Sequence, residues 1–486
     1  MNLRRWLTVG IGVKRWLLVA FLGLLVLALG VAHLLRQAAA TGRPPGPAGA
    51  LVDMLTLQFL PYQLRGLVAG SLGLALFLVG AYRLVRALVD PFALWDRDQP
   101  MVEVIYQKRF LARGPRVVAI GGGTGLSTLL RGLKEHTSNL TAVVTVADDG
   151  GSSGVLRSEL GIPAVGDIRN CVVALADAEP LMGRLLQYRF TSIAPVPGAT
   201  NDPAAEGDPA DIASDPGAAG DTASAGDAVL PPARDAEALG AGLGGHPLGN
   251  LLLAALVQLE DGDFEEGVRE MNRVLAVRGR VVPATGTAIT LHALTDDGTE
   301  VEGQSRVGRT SGLDRVWITP ADVRPTGDAL RAIADAELIV IGPGSLYTSI
   351  LPALLVPGVR EAVGASGAMV IFVCNVATQA GETGGYDLAD HMDGLARHGA
   401  DQLPDVVLAN NRFDATAPDG WLGEAVRLRW PPSGAHAPRL VLDDLVDPVN
   451  AHRHDPGRLA TAIIGAWERE GGRRRRPGVA RGERAS

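Results

Sequence analysis

Apolar positions along this chain follow three different rhythms. From Trp16 to Leu35 the sequence WLLVAFLGLLVLALGVAHLL contains no Asp, Glu, Lys or Arg, and a bilayer-spanning helix needs roughly 20 such residues. Leu67 to Tyr82, LVAGSLGLALFLVGAY, is a shorter apolar run that its flanks could extend. The pattern predicts an N-terminal membrane anchor over residues 1–98, with two transmembrane helices at about 16–36 and 66–88. Arg4, Arg5, Lys14 and Arg15 precede the first run, and Arg83, Arg86 and Arg97 follow the second. The positive-inside tendency then places both ends in the cytoplasm and residues 37–65 outside. A cleaved signal peptide is the alternative, with small residues in RQAAATG, but the second run would still leave an anchor. The expected localisation is the cell membrane, with two spans and a cytoplasmic C-terminal domain.

The second rhythm begins near Arg113. Short apolar runs alternate with stretches of helical spacing, which is the sign of a mostly parallel sheet covered on both faces. Expected strands are Arg116–Ile120, Thr141–Ala147, Leu338–Ile341, Met369–Cys374 and Asp405–Leu408. Helical spacing falls at Ser127–His136, Ile168–Leu175, Leu248–Leu259, Phe264–Ala276, Asp387–Arg397 and Arg458–Arg469. Between Val281 and Ile318 the chain is richer in Thr, Val and Gly, and TDDGTEVEG reads as a hairpin turn between antiparallel strands. The fold expected for residues 113–470 is a Rossmann-like α/β domain.

The third rhythm is the absence of one. Residues 195–245 are almost entirely Ala, Gly, Asp, Pro, Ser and Thr, which bury too little apolar surface to offset their ordering entropy. They read as a disordered insertion, and residues 471–486, with RRRR at 473–476, as a disordered basic tail. A net charge of −8 with 5 % aromatic residues gives no support to nucleic-acid binding. Cys171 and Cys374 lie in apolar surroundings, outside any metal or redox spacing.

Candidate chemistry clusters where strands end. AIGGGTGLSTLL puts Gly121, Gly122, Gly123, Thr124 and Gly125 between a strand and a helix, an arrangement that aims backbone N–H groups at an anion. It matches neither G-x-G-x-x-G nor the P-loop spacing. VTVADDGGSSG places Asp148, Asp149, Gly150, Ser152 and Ser153 in a polar loop after the second strand, where open α/β sheets bind ligands. GDIRN offers Asp167, Arg169 and Asn170, either as a phosphate fork or as an internal ion pair. GHPLGN supplies His246 and Asn250, without the second histidine a zinc site would need. IGPGSLYTS repeats the strand–glycine–helix order with Gly342, Gly344, Ser345 and Tyr347; the tyrosine could stack on a base or pack beneath the helix. CNVATQ adds Asn375, Thr378 and Gln379, polar groups suited to a sugar nucleotide. No nucleophile with its own base is visible, and there is no G-x-S-x-G.

AIGGGTGLSTLLRGLK, VTVADDGGSSGVLR, GDIRN, GHPLGNLLLAAL, IGPGSLYTSILP and CNVATQAGET, in this order, resemble the gluconeogenesis factor family. These are the YvcK-like proteins that bind UDP-N-acetylglucosamine, distant relatives of 2-phospho-L-lactate transferase. The resemblance runs from about Gly114 to Trp467. It implies a Rossmann-like core, homo-oligomers, and a binding and regulatory role in cell shape, cell-wall synthesis and carbon metabolism. It also implies that Gly121–Gly125, the Asp148–Ser153 loop and Tyr347 surround the nucleotide sugar, with cell-wall synthesis proteins as partners and no required cofactor. A transferase with Mg²⁺ held through phosphate by Asp148 or Asp149 is the alternative.

Overall fold

Five strands in which every residue is buried form the centre of the domain: Val117–Gly121 (β1), Leu140–Val144 (β2), Leu338–Ile341 (β7), Met369–Val373 (β8) and Val406–Asn410 (β9). Burial on both sheet faces explains their continuous apolar runs. The computed structural model describes residues 18–28, 61–89, 111–176, 179–190, 243–414, 423–432 and 438–470. Arg280–Pro283 (β3) and Arg439–Asp443 (β10) close the two edges of one sheet in the order β10-β9-β8-β7-β1-β2-β3. All six neighbouring pairs are parallel.

That order carries a functional consequence. The chain lays β1, β2 and β3 outward in one direction, then returns to build β7 to β10 on the other side of β1. The direction reverses between β1 and β7, and in open α/β sheets such a reversal opens a crevice outside the strands' carboxyl ends. In between, Thr290–Thr295 (β4), Glu300–Glu302 (β5) and Leu313–Thr319 (β6) form a separate antiparallel sheet, ordered β5-β4-β6. Its hairpin turn is the TDDGTE segment, as the sequence suggests.

Helices cover the main sheet through apolar stripes. Helix Gly123–Leu133 buries Leu126, Leu129, Leu130 and Leu133 completely, the i, i+3, i+4, i+7 spacing of one helix face. Each such side chain contributes about 1.5–3 kcal/mol relative to exposure. Two elements depart from expectation. The GGSSG segment is the first turn of helix Gly151–Leu160 rather than a loop. Val281–Pro283, expected among antiparallel strands, joins the parallel sheet beside β2.

The chain divides into two compact units, Met1–Arg113 and Gly114–Ser486. In the first, residues 18–28 and Tyr62–Val89 are helical. They approach closely at glycines: a Cβ on Gly23 would lie 2.5 Å from the Phe77 nitrogen, and one on Gly73 would lie 2.5 Å from the Leu27 nitrogen. Among the described residues, however, no helix is long and apolar enough to cross a membrane. The two-span anchor and the membrane localisation expected from composition are therefore corrected. The 195–245 insertion, except its last three residues, and the 471–486 tail lie outside the described residues.

Candidate ligand site

The glycine turn after β1 and the one after β7 meet at the point where strand order reverses. A Cβ on Gly125 would stand 2.5 Å from the Pro343 carbonyl oxygen, and one on Gly344 would stand 3.3 Å from the Gly122 oxygen. Two backbones this close admit only glycine at Gly125. Gly123 has φ +65°, a left-handed conformation that L side chains resist. Its open side faces the Ser349 hydroxyl, so the two turns share one rim.

Behind the first turn, Gly122 packs against the Asp167 carboxylate and the Thr145 methyl group. Asp148 is partly buried: its Oδ1 accepts from the Gly150 N–H at 3.0 Å and its side chain bonds to Ser153. Burial raises the Asp148 pKa, and the Asp149 charge adds to this, while the two hydrogen bonds and the Arg169 guanidinium oppose them. Asp149 is turned elsewhere. Its Oδ1 accepts from the Ser305 N–H at 2.8 Å, tying the loop to the short helix Gln304–Val307.

Arg169, 8 % exposed, anchors a polar network. It donates to Asn250 Oδ1 at 3.2 Å and to Asn170 Oδ1 at 2.9 Å. Asn250 Nδ2 donates to Ser152 Oγ at 3.0 Å, and Ser152 Oγ stands 2.8 Å from His246 Nδ1. Burial lowers the His246 pKa; the Arg189 charge also lowers it, and Glu159 raises it. Ser152 and His246 are 94 residues apart in sequence, which hid this pair from spacing-based reading.

The second turn is held mainly by the protein itself. Asn375 brackets Gly344, accepting from its N–H at 3.1 Å and donating to its carbonyl at 2.9 Å. Ser345 Oγ donates to Gln379 Oε1 at 2.7 Å, and Thr378 bonds to Glu424 through backbone and hydroxyl. Tyr347 is fully buried within the π-helical turn Leu346–Ile350. Its hydroxyl lies 3.0 Å from Tyr386 Oη and accepts from Arg397 at 2.9 Å. Of its two expected roles, packing beneath the helix describes the side chain. Sequence reading missed Glu382, whose buried carboxylate accepts from the Tyr347 N–H at 2.6 Å and from Thr348 N–H and Oγ. Asn375, Gln379 and Glu382 thus support the turn.

Four helices beginning around this network have N-cap residues whose own side chains make no capping hydrogen bond. Their N-caps are Gly122, Gly150, Val165 and Pro247. At the helices beginning at Gly123 and Gly151 the first backbone donors, with the helix dipole behind them, suit the oxygens of an anion, whereas the Leu248 N–H already donates to the Tyr188 carbonyl at 2.9 Å.

The family model for 2-phospho-L-lactate transferase CofD matches residues 117–419. A Gluconeogenesis factor from Halalkalibacterium halodurans is 44 % identical over 295 residues, covering 60 % of this chain and 77 % of that protein. A Gluconeogenesis factor from Bacillus subtilis is 42 % identical over 302 residues, covering 62 % and 80 % respectively. The chain belongs to the gluconeogenesis factor family. A crystal structure of protein BH3568 from Bacillus halodurans superposes with a TM-score of 0.59 at 39 % identity, covering 72 % of this chain and all of that one. Within the family match fall both glycine turns, the Arg169 network and Glu382. Among the described residues no group of three or more His, Cys, Asp or Glu could hold a metal ion.

Proposed function

We propose that this gluconeogenesis factor family member is a nucleotide-sugar-binding regulatory protein whose ligand is UDP-N-acetylglucosamine. One observation carries the reading: two glycine turns meet at the reversal of strand order, beside helix starts whose N-caps make no side-chain capping bond. The diphosphate would lie against the Gly121–Gly125 turn, with Arg169 supplying positive charge behind it. Ligand occupancy would then be signalled to cell-wall synthesis partners, in support of cell shape and carbon metabolism, by a chain acting as a homo-oligomer. Isothermal titration of the full chain is the direct test. UDP-N-acetylglucosamine should give saturable heat that a deazaflavin does not; heat from the deazaflavin alone would sink the reading.

A second reading is favoured by the family-model match. It is an Mg²⁺-dependent transferase of the 2-phospho-L-lactate transferase type, with Asp148 or Asp149 contacting the metal. It requires metal-dependent turnover that Asp148→Asn abolishes.

A further inference from the structure

The Arg169 network has a direction that its chemistry imposes. An arginine side chain only donates hydrogen bonds, so the Asn250 oxygen must face Arg169 and the Asn250 NH₂ must face Ser152. Ser152 Oγ therefore accepts from Asn250 and stands 2.8 Å from His246 Nδ1, to which its own hydrogen is donated when the ring carries its proton on Nε2. A serine hydroxyl within hydrogen-bond reach of an imidazole is the pairing from which an activated nucleophile is built, and here Asn250 holds the serine in place. Ser152 and His246 are each only 4 % exposed, so bulk water competes little for the pair. Ser152 also occupies the first turn of the ten-residue helix Gly151–Leu160, whose N-cap Gly150 makes no side-chain capping bond.

We propose that Ser152 and His246 form a nucleophile–base pair that accepts a phosphoryl group from a phosphate ester or anhydride held at the Gly121–Gly125 turn. The inference rests on the reading that this turn holds phosphate. Ser152 Oγ attacks phosphorus and forms the Oγ–P bond. The P–O bond to the leaving group breaks, and the leaving oxygen keeps the electron pair. The serine proton passes to His246 Nδ1. His246 passes that proton to the leaving oxygen and becomes a neutral base again. Water or an acceptor alcohol then attacks the phosphoserine phosphorus, giving its proton to His246; the P–Oγ bond breaks, and His246 returns the proton to Ser152 Oγ. Backbone donors at the helix start would stabilise the charge on the phosphoryl oxygens.

The test treats the full chain with diisopropyl fluorophosphate, a neutral phosphorus electrophile that loses fluoride, and locates the adduct by peptide mass spectrometry. The expected adduct sits on Ser152 and is absent from Ser152→Ala. His246→Asn keeps an acceptor for the serine hydroxyl but removes the base, so labelling should slow about 100-fold. Labelling of His246→Asn at the unaltered rate, or no Ser152 adduct in the parent chain, overturns the proposal. Should the Asn variant melt early, the pH–rate profile of the parent chain decides. Burial and Arg189 hold the His246 pKa below its ordinary 6.5, against Glu159, so the rate should fall in acid with a midpoint below pH 6.5. A midpoint above 6.5 counts against the pair. Titration heat with UDP-N-acetylglucosamine but no labelling removes this inference alone; labelling without heat removes the nucleotide-sugar reading alone.

Discussion

The helices beginning at Phe264, Gly327, Leu388 and Pro456 start differently from those around the ligand site. Asp263, Thr326, Asp387 and Asp455 each accept a hydrogen bond from a backbone N–H in the first turn that follows. The helices beginning at Gly123, Gly151, Gly166 and Leu248 have no such bond. A side-chain cap typically contributes about 1 kcal/mol, so the second group forgoes that stabilisation four times over. The short helices Gln304–Val307, Leu351–Leu354 and Val359–Ala365 also lack an N-cap side-chain bond, so the contrast holds among the longer helices. That is the expected pattern when an anionic ligand completes the caps.

The turn after β7 belongs to neither group, because Glu382 reaches it from 35 residues away to bond the Tyr347 N–H. Burial pushes the Glu382 pKa from 4.5 up to about 7, overriding three donors that favour the charged form. Between those values the folded protein holds a proton that the unfolded chain has released, so stability falls as pH rises. The contribution is complete below 4.5 and gone above about 7, on the order of 3 kcal/mol in all. Urea unfolding of parent and Glu382→Gln chains from pH 4.5 to 8 measures it. The difference between the two should change across that window, and parallel curves would show that Glu382 titrates normally.

A smaller effect separates the crevice from the surface. Gly125→Ala forces a Cβ toward the Pro343 carbonyl, a backbone atom that cannot swing away, whereas a Cβ on Gly384 meets nothing within 4 Å. The first substitution should cost about 1–3 kcal/mol and remove the titration heat with UDP-N-acetylglucosamine. The second should alter neither. Equal binding by both variants would mean that contact between the two turns does not shape the site.

Much of this arrangement was readable from sequence because strand and helix periods are local. Leu338–Ile341 and Leu248–Leu259 carry unbroken apolar signals, and the structure ends them at the expected residues. The glycine turns were visible because only a special backbone needs four glycines in five positions. The GGSSG segment misled, since glycine and serine favour turns, while here they begin a helix whose N-cap makes no side-chain capping bond. The pairing of Ser152 with His246 and the reach of Glu382 to Tyr347 depend on tertiary contact, which spacing cannot encode. The N-terminal apolar runs misled differently. Their composition suggested two spans, yet among the described residues no helix is long and apolar enough to cross a membrane.

The smallest expected effect tests the capped group. Asp263 accepts from the Glu266 N–H at 3.1 Å in an exposed setting, with no tie to the crevice network. Asp263→Ala should therefore lower stability by about 1 kcal/mol, seen as a shifted urea midpoint with an unchanged slope. Affinity for UDP-N-acetylglucosamine should not move, because the donor it uncovers lies outside the site. If capping and binding were coupled through the whole fold rather than divided between two sets of helices, this remote change would weaken the ligand as well.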